Sequence, residues 1–522
     1  MYFRANKSAF MIRYIPENQL SIEEFKTPFQ TSLSTDNRWV KLSNIVNWDK
    51  FAQQYISMMN QGFGRPGISP RIVLGALIIK HKERLDDRGV IQMIQENPYM
   101  QYFIGLKGFS TKAVFDPSLF VEIRKRVGEA IFDTLSTDLI SSISKKEDEN
   151  HNKKHNNTSK NKGKMQADAT VADQYIKYPT DSGLLNSARK ESEKMIDILY
   201  ELKGKKGVKP RTYRKKLDQA FLNYSKKKRK PKKSHRKMNY KLLAALNRNI
   251  KQINKMLDSF EVFPLAKKEQ RMLWIITMLF EQQKEMYDQK KQRCSDRIVS
   301  IFQPHVRPIP RGKAAAQVEF GSKLGVSLDN GFTRINTFSW DAYSEGKDLI
   351  KQIEAYRELH GYYPELVQVD KAYSTKENRK WLKERNIRIT APPLGRKPKE
   401  AENAYQKRKK KKEAAERNHI EGKFGQGKNG YKLNQVRAKL KSTSESWVSC
   451  IFFVMNLINY QKKVIFCAFF NLLKEIKNYI QKRSSLIAVF HKQRLTITRN
   501  FDFYSNSILS FSANPIYHIP LS

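Results

Sequence analysis

Three carboxylates are the residues of this sequence best suited to chemistry. Asp370 ends the apolar segment ELVQVD (365–370), and Ser374 and Glu377 form a capping box that starts a predicted helix just beyond it. An aspartate there lies at the carboxyl end of a strand, where the sites of α/β proteins concentrate. Taken alone, an aspartate in this place is more often a turn residue.

Asp168 and Glu421 offer the second and third carboxylates. Asp168 lies in the short β-prone segment MQADATV, and the spacing cannot exclude nearby Asp173 as a rival. Glu421 lies in AAERNHIEGKFGQGK, where a helix would bring Arg417 and Lys428 within about 40° of it. A surface salt bridge to Arg417, worth only about 0.2–0.5 kcal/mol, is the alternative. The glycine-rich sequence after Glu421 predicts that the helix stops before Lys428.

Carboxylates gathered on one sheet suit phosphodiester chemistry. Mg²⁺ prefers oxygen ligands and keeps open positions for water and phosphate. Two such ions about 3.5–4 Å apart can activate the attacking oxygen and stabilise the leaving one. The sequence has no GxSxG elbow, P-loop or CxxC motif that would supply another chemistry. From spacing alone, the metal site is one hypothesis among several.

The charge of the chain predicts a polyanionic partner. The 522 residues include 98 Lys and Arg against 51 Asp and Glu, a formal net charge of +47. Nucleic acid is favoured over an anionic membrane because the basic runs lack an amphipathic apolar face. The longest uncharged stretch, residues 446–461, is shorter than the about 20 apolar residues that span a bilayer. A soluble, intracellular protein without a signal peptide is therefore expected.

The N-terminal part, residues 1–140, is predicted to be an all-α domain. Helix starts are expected at Ser69–Pro70 and at Asp116–Pro117. The second of these helices carries the basic residues Arg124, Lys125 and Arg126. A helix-turn-helix-like DNA-binding module and an ordinary helical bundle are equally compatible with this pattern.

The rest of the chain is predicted to form an α/β domain at residues 165–482, after a polar, disordered linker at 141–164. Strand signals around Asp168, a hairpin at Asp329–Asn330–Gly331, and alternating strands and helices up to 391 imply a mixed sheet. A long helical insertion is expected at about 182–293. Its basic runs contain Arg211 and Arg214, which are predicted to contact nucleic acid. Helices at about 401–428 and 443–482 close the domain, and residues 483–522 form a tail without a clear pattern.

These blocks together resemble the bacterial insertion-sequence transposases that have an InsH-type N-terminal domain and a DDE catalytic core (the IS four/five-like group). The resemblance covers roughly residues 37–460. The blocks that carry it are SPRIVLGALIIKHKERLDDRGVIQMIQENPYMQYFIGL, VFDPSLFVEIRKRV, ADATVADQYIKYPTDSGLLNSAR, KPRTYRKK, DRIVSIFQPHVRPIPRGKAAAQVEFGSKLGVSLDNGF, SWDAY, VDKAYST and ESWVSCIFFVMNL.

The resemblance implies an RNase H-like core and a site made of Asp168, Asp370 and Glu421. These residues would hold two Mg²⁺ ions, for which Mn²⁺ can substitute, while Arg417 and Lys428 would steady the helix or contact phosphate. The related signature often has a tyrosine three residues before the arginine, and Ala414 stands there instead.

The activity implied is that of a cytoplasmic, nucleoid-associated enzyme acting on double-stranded DNA. It would bind the terminal inverted repeats as a homo-oligomer on paired ends, cleave them to leave a 3′-hydroxyl, and join that hydroxyl to target DNA. Two alternatives stay open: an inactive relic that only binds DNA, and an RNase H-like nuclease that cuts without joining.

Overall fold

The structure is a computed structural model that describes residues 22–28, 32–57, 59, 67–151, 161–310, 318–395 and 403–508. The chain divides into two compact units, residues 1–457 and 458–522. The first unit opens with helices α1 to α7: Arg38–Ser43, Trp48–Ser57, Pro70–Lys82, Asp87–Glu96, Pro98–Phe103, Leu119–Val127 and Ala130–His151. The all-α prediction for the N-terminal part holds for the described residues.

Two details of these helices differ from expectation. Helix α6 begins at Leu119 because the Asp116 carboxylate accepts hydrogen bonds from the backbone N–H and the hydroxyl of Ser118, at 2.8 and 2.6 Å, which holds a turn before the helix. Helix α7 continues to His151, so the predicted linker at 141–164 is wrong for its first half. Residues 152–160 of that linker lie outside the described part of the chain.

A six-stranded mixed sheet forms the centre of the α/β part. Its strands are β1 Lys164–Asp173, β2 Arg307–Pro310, β3 Val318–Asp329, β4 Phe332–Ser339, β5 Leu366–Gln368 and β6 Arg388–Ile389. The order is β2-β3-β1-β5-β6, with β4 also paired to β3. Strands β1, β5 and β6 run parallel, whereas β3 is antiparallel to β1, β2 and β4.

The predicted hairpin joins β3 to β4. Asn330 and Gly331 both have positive φ, at 48° and 82°, which is the backbone of a two-residue turn that matches the twist of the strands. The hairpin gives β3 its length, and β3 in turn supports β1 along eight residue pairs.

Between β1 and β2 lies the helical insertion, as predicted. It comprises α8 to α11: Asp181–Leu202, Arg214–Ser225, Lys232–Leu257 and Lys267–Asp288. It has a hydrophobic core of its own, to which Leu185, Ile196, Leu242, Leu246 and Leu279 each contribute a side chain without solvent exposure. The insertion is therefore a folded helical module and not only a charged excursion.

Helices cover both faces of the sheet. Met165 and Ala167 of β1 pack in one apolar cluster with α12 (Leu349–His360) and α13 (Lys376–Glu384). Helix α14 (Ala404–Gly425) contacts β1 and β5 through the alternate residues, which point to the opposite face. Thr375, and not the predicted Ser374, caps α13, since its hydroxyl accepts from the backbone N–H of Asn378 at 3.1 Å.

The α-helical geometry of α14 ends at Gly425, but the chain continues directly as one π-helical turn, Gln426–Gly430, so the helix does not stop before Lys428 as predicted and only changes its geometry there. Helix α15 runs from Lys441 to Ile508, and its residues up to Leu457 belong to the first unit. In the second unit it exposes Ile465, Phe466, Phe470, Leu473, Ile476 and Tyr479. Among the helices of the described residues, none is both long and apolar enough to cross a bilayer.

Candidate active site

The pairing of β1 and β5 leads up to Asp168 and Asp370. Parallel strands β1 and β5 pair Lys164 with Leu366 and Gln166 with Gln368. Asp168 lies two residues further along β1, and Asp370 lies two residues beyond Gln368, just past the end of β5. The charge of Asp370 raises the pKa of the Asp168 carboxyl, as expected if this register continues and brings the two carboxylates near each other.

Electrostatics at Asp168 follow from this placement. The residue is partly buried, and the pKa of its carboxyl is raised from 3.8 to about 6, chiefly by burial and also by the charges of Glu345 and Asp370. The backbone N–H of Ala169, which donates to Asp168 Oδ1 at 2.8 Å, and the guanidinium of Arg417 lower that pKa. Asp168, Glu345 and Asp370 thus form an acidic group, with Arg417 and the Lys323 that pairs with Glu345 as nearby cations. A bound cation would relieve their repulsion.

Asp370 is fixed by the turn that follows it. Its Oδ1 accepts from the backbone N–H of Ala372 at 2.6 Å and so caps a 3-10 turn, Lys371–Tyr373. The turn-forming role weighed from the sequence is real. The hydrogen bond orients the Asp370 carboxylate through Oδ1 and does not involve Oδ2.

Glu345 is a member of the site that the sequence reasoning missed. It begins a 3-10 turn, Glu345–Lys347, and its Oε1 lies 2.8 Å from Lys323 Nζ of β3. Asn378 ties this turn to the turn after Asp370, because its side-chain Nδ2 donates to the carbonyls of Gly346 and Tyr373 at 2.7 and 2.9 Å. The position follows the block SWDAY closely, but only the tertiary packing shows that an acid there approaches Asp168.

Gln166 of β1 and Gln368 of β5 hydrogen-bond to the backbone of α14. Gln166 donates to the carbonyl of Glu416 at 2.7 Å and accepts from the backbone N–H of Ile420 at 3.1 Å, two groups that pair with each other in a regular α-helix. Gln368 donates to the carbonyl of Glu413 at 3.1 Å, and Gln166 donates to Gln368 at 2.9 Å. Because all these groups are bonded, the rotation of α14 about its axis is fixed relative to Asp168 and Asp370.

The fixed rotation places Arg417 and Glu421 at the edge of the site. Ile420 is fully buried against the sheet, whereas the Glu421 side chain is 54% exposed. Glu421 Oε1 lies 3.2 Å from Arg417 Nη2, the ion pair weighed as the alternative. In the described part of the chain, no three Asp, Glu, His or Cys residues are already arranged to hold a metal ion. The structure brings the two aspartates together and leaves Glu421 turned toward Arg417.

Lys428 lies beside Asp173, at the carboxyl end of β1. Its Nζ is 3.0 Å from Glu319 Oε1 and 3.7 Å from Asp173 Oδ2. Asp173 is five residues beyond Asp168, about 16 Å along the strand. The rival acid is therefore paired with a lysine far from Asp370, and Lys428 steadies the end of α14.

The residues predicted to bind DNA lie in different environments. Lys125 and Arg126 of α6 are exposed, as is Arg211 before α9. Arg124 is buried, forms an ion pair with Asp87, and stacks its guanidinium 4.8 Å from the Trp447 ring centre of α15. Its surroundings indicate a packing role between the helical domain and the α/β part.

Arg214 is held within the insertion. Its two terminal nitrogens lie 2.9 and 2.8 Å from the carboxylate oxygens of Asp197, a two-bonded geometry that fixes a guanidinium firmly. Arg211 has the greater freedom to meet a phosphate.

Comparison with known proteins adds two family matches. A model described as "Transposase DDE domain" matches residues 367–458, which include Asp370 and Glu421. A model described as "Transposase domain (DUF772)" matches residues 28–126, most of the helical domain. These matches confirm the resemblance to bacterial insertion-sequence DDE transposases, while the narrower InsH-type grouping stays a prediction.

One curated relative is similar over a shorter stretch. A Rhizobium meliloti protein described as "Uncharacterized protein ORF8 in nfe locus" is 27% identical over 148 residues, which are 28% of this chain and 66% of that protein. The chain therefore covers just under two thirds of the relative's length. No solved structure matches this chain.

Proposed function

From the premise of two transposase domains, we propose that this chain is a DNA transposase. It binds the terminal inverted repeats of an insertion sequence, cleaves the ends to leave a 3′-hydroxyl, and joins that hydroxyl to target DNA. The observation that carries the proposal is the parallel pairing of β1 and β5, which ends two residues before Asp168 and Asp370, together with the electrostatic influence of Asp370 on the Asp168 carboxyl. We also propose that the mixed sheet, with helices on both faces, is an RNase H-like core.

The donor set fits magnesium. Asp168 is a partly buried carboxylate whose charge is opposed by Glu345 and Asp370, and carboxylate oxygens are the ligands that Mg²⁺ prefers. Asp168 and Asp370 with Glu421 would hold two Mg²⁺ ions, or Mn²⁺ in their place. When bound, such ions activate an attacking oxygen and stabilise the leaving one.

The protein's own residues then have separable tasks. The Ala169 N–H and the turn after Asp370 hold the two aspartates in position. A rotation of the Glu421 side chain away from Arg417 would complete the ligand set. That rotation would also free the Arg417 guanidinium, whose planar donors suit a phosphate of the bound strand.

Double-stranded DNA is the proposed partner, and paired ends imply a homo-oligomer. The exposed Lys125, Arg126 and Arg211 would contact phosphates. Each such contact releases condensed counterions, so affinity should fall steeply as salt rises. In a bacterium, the enzyme would work in the cytoplasm at the nucleoid.

The test is a joint cleavage and strand-transfer assay. Purified protein is incubated with labelled DNA that carries the flanking element ends and with a supercoiled target, in Mg²⁺ and in EDTA. Asp370→Asn and Glu421→Gln keep side-chain size while removing the charge that binds metal. The proposal requires cutting and joining that depend on Mg²⁺ and are lost in both variants, with DNA binding retained.

Other outcomes separate the alternatives. Cutting without joined products would indicate an RNase H-like nuclease. Binding without chemistry under any condition would indicate a relic. Unchanged activity of Asp370→Asn would refute the site assignment.

A further inference from the structure

A pocket with exposed aromatic walls lies where the chain leaves β1 and enters the insertion. Tyr175, Tyr178 and Phe302 line it, with 63%, 73% and 57% of their surfaces exposed. Aromatic rings of this size usually bury most of their surface, since leaving it in water forfeits a large hydrophobic gain. Three such rings around one pocket form an exposed aromatic surface of the kind that marks a binding site.

The rings are supported from behind. Tyr178 packs edge-on against Phe320 of β3, with ring centres 5.6 Å apart. The guanidinium of Arg437 lies 5.4 Å from the centre of the Tyr175 ring. These contacts position Tyr175 and Tyr178, and both still expose more than half of their surface.

The charge around these rings is positive. Lys177 and Lys439, both exposed, belong to the lining, and no aspartate or glutamate does. Flat aromatic faces combined with cations suit a nucleotide, whose base stacks while its phosphate is neutralised. An acidic peptide would use the cations but would leave the three ring faces less well matched.

We propose that this pocket binds an unpaired nucleobase of the DNA strand that the enzyme processes. The proposal rests on the proposed function and adds a single-stranded feature to its substrate. In a duplex, neighbouring base pairs cover both faces of every base, so only an unstacked base presents a face to the tyrosines. The ligand is thus a frayed, flipped or single-stranded nucleotide.

The position of the pocket is compatible with a strand that reaches the candidate active site. Tyr175 is seven residues beyond Asp168, at most about 23 Å along the extended chain. This upper limit corresponds to about seven steps of duplex DNA at 3.4 Å each. The proposed occupant is therefore a base within several nucleotides of the cut end.

The test measures binding without chemistry. In EDTA, affinities are compared for a fluorescent ten-nucleotide thymidylate strand and for a duplex of equal length. Single variants Tyr175→Ala, Tyr178→Ala and Phe302→Ala remove one ring each, and Tyr178→Phe keeps it. Tyr240→Ala removes a tyrosine that is 61% exposed on α10 and lies outside the pocket lining. Melting temperatures confirm that each variant folds.

We expect each alanine variant in the pocket to bind the single strand about tenfold more weakly, as stacking energies per base imply, with duplex affinity unchanged. Tyr178→Phe and Tyr240→Ala should bind like wild type. Equal losses on both DNAs, or no loss on the single strand, would overturn the proposal. Asp370→Asn should bind the single strand like wild type. If the wild-type protein shows no cleavage or joining but binds the single strand through these rings, the result counts against the proposed function and not against the pocket.

Discussion

Strand β1 carries two acids in opposite electrostatic settings, Asp168 at its middle and Asp173 at its carboxyl end. Between Met165 and Asp173, Asp168 and Asp173 are partly exposed and the other residues are buried. Asp173 and Glu319 share the ammonium of Lys428. Asp168 instead faces the negative influence of Glu345 and Asp370, and Arg417 is already bonded to Glu421.

This contrast separates a structural acid from a candidate ligand. A carboxylate with a lysine partner gains stability from its charge, whereas a carboxylate crowded by other acids is costly to ionise until a cation arrives. The same strand therefore holds the turn after α14 at its carboxyl end and carries, at its middle, the acid that we propose as a metal ligand.

The largest expected effect is on chemistry. Asp370→Asn should lower cleavage at least about a thousandfold, as expected when a group that organises transition-state charge is lost. Asp173→Asn should retain cleavage to within about tenfold, measured under conditions where both variants are folded. Equal losses of cleavage from the two substitutions would contradict the distinction between the acids around Asp168 and the lysine-paired Asp173.

Glu421 tests whether the helix supplies a ligand. Glu421→Gln should reduce cleavage about a hundredfold or more while leaving DNA affinity intact. If Glu421 only pairs with Arg417 on the surface, the variant should instead be fully active. Single-turnover kinetics on a pre-cut end distinguishes the two results.

The glutamines that hold α14 offer a smaller effect. Gln166→Leu removes the bonds to Glu416 and Ile420, so α14 loses its fixed rotation. Cleavage should fall about 10- to 100-fold, the usual cost of losing a group that orients ligands. An increased Mg²⁺ requirement should accompany the loss, and a merely destabilised protein would not show it.

Part of this arrangement is readable from the sequence, and part is not. The strands around Asp168 and Asp370 and the hairpin at Asn330–Gly331 follow from local patterns of apolar residues and turn residues. Strand pairing is non-local, so the neighbour relation of the two aspartates requires the fold. The decision between Asp168 and Asp173 needed the partner lysine, which lies more than 250 residues away in the chain.

Side-chain packing explains what the patterns missed. Glu345 approaches the site only because Asn378 joins two turns that are distant in sequence. Arg124 was predicted as a DNA contact from its place in a basic run, yet Trp447 and Asp87 enclose it. A sequence shows which residues are cationic, and only the fold shows which groups those residues contact.

Removing the charge of Asp168 and removing that of Asp173 should change the melting temperature in opposite directions. The folded-state pKa of Asp168 is raised to about 6 from 3.8, so its favourable contribution is complete below about pH 4 and is lost as the pH rises through 6. At pH 7.5 without metal, Asp168→Asn should raise the melting temperature and Asp173→Asn should lower it. The gain of Asp168→Asn should shrink toward pH 4.

Mg²⁺ should remove the higher melting temperature that Asp168→Asn has over wild type without metal. Mg²⁺ binding needs the ionised carboxylate, so it should stabilise wild type increasingly as the pH rises from about 5 to 7. Asp168→Asn should show little stabilisation at any pH, and a similar Mg²⁺ response in this variant would contradict the ligand role of Asp168.

Mapping a bound ion on the protein would show whether Asp168 and Asp370 hold the metal. Fe²⁺ can replace Mg²⁺ at oxygen-ligand sites, and with ascorbate and peroxide it generates radicals that cut the nearby backbone. We expect cuts around residues 168, 345 and 370 that Mg²⁺ competes away and that Asp370→Asn abolishes. Cuts around residues 173 and 319 instead, or cuts unaffected by Asp370→Asn, would contradict this assignment.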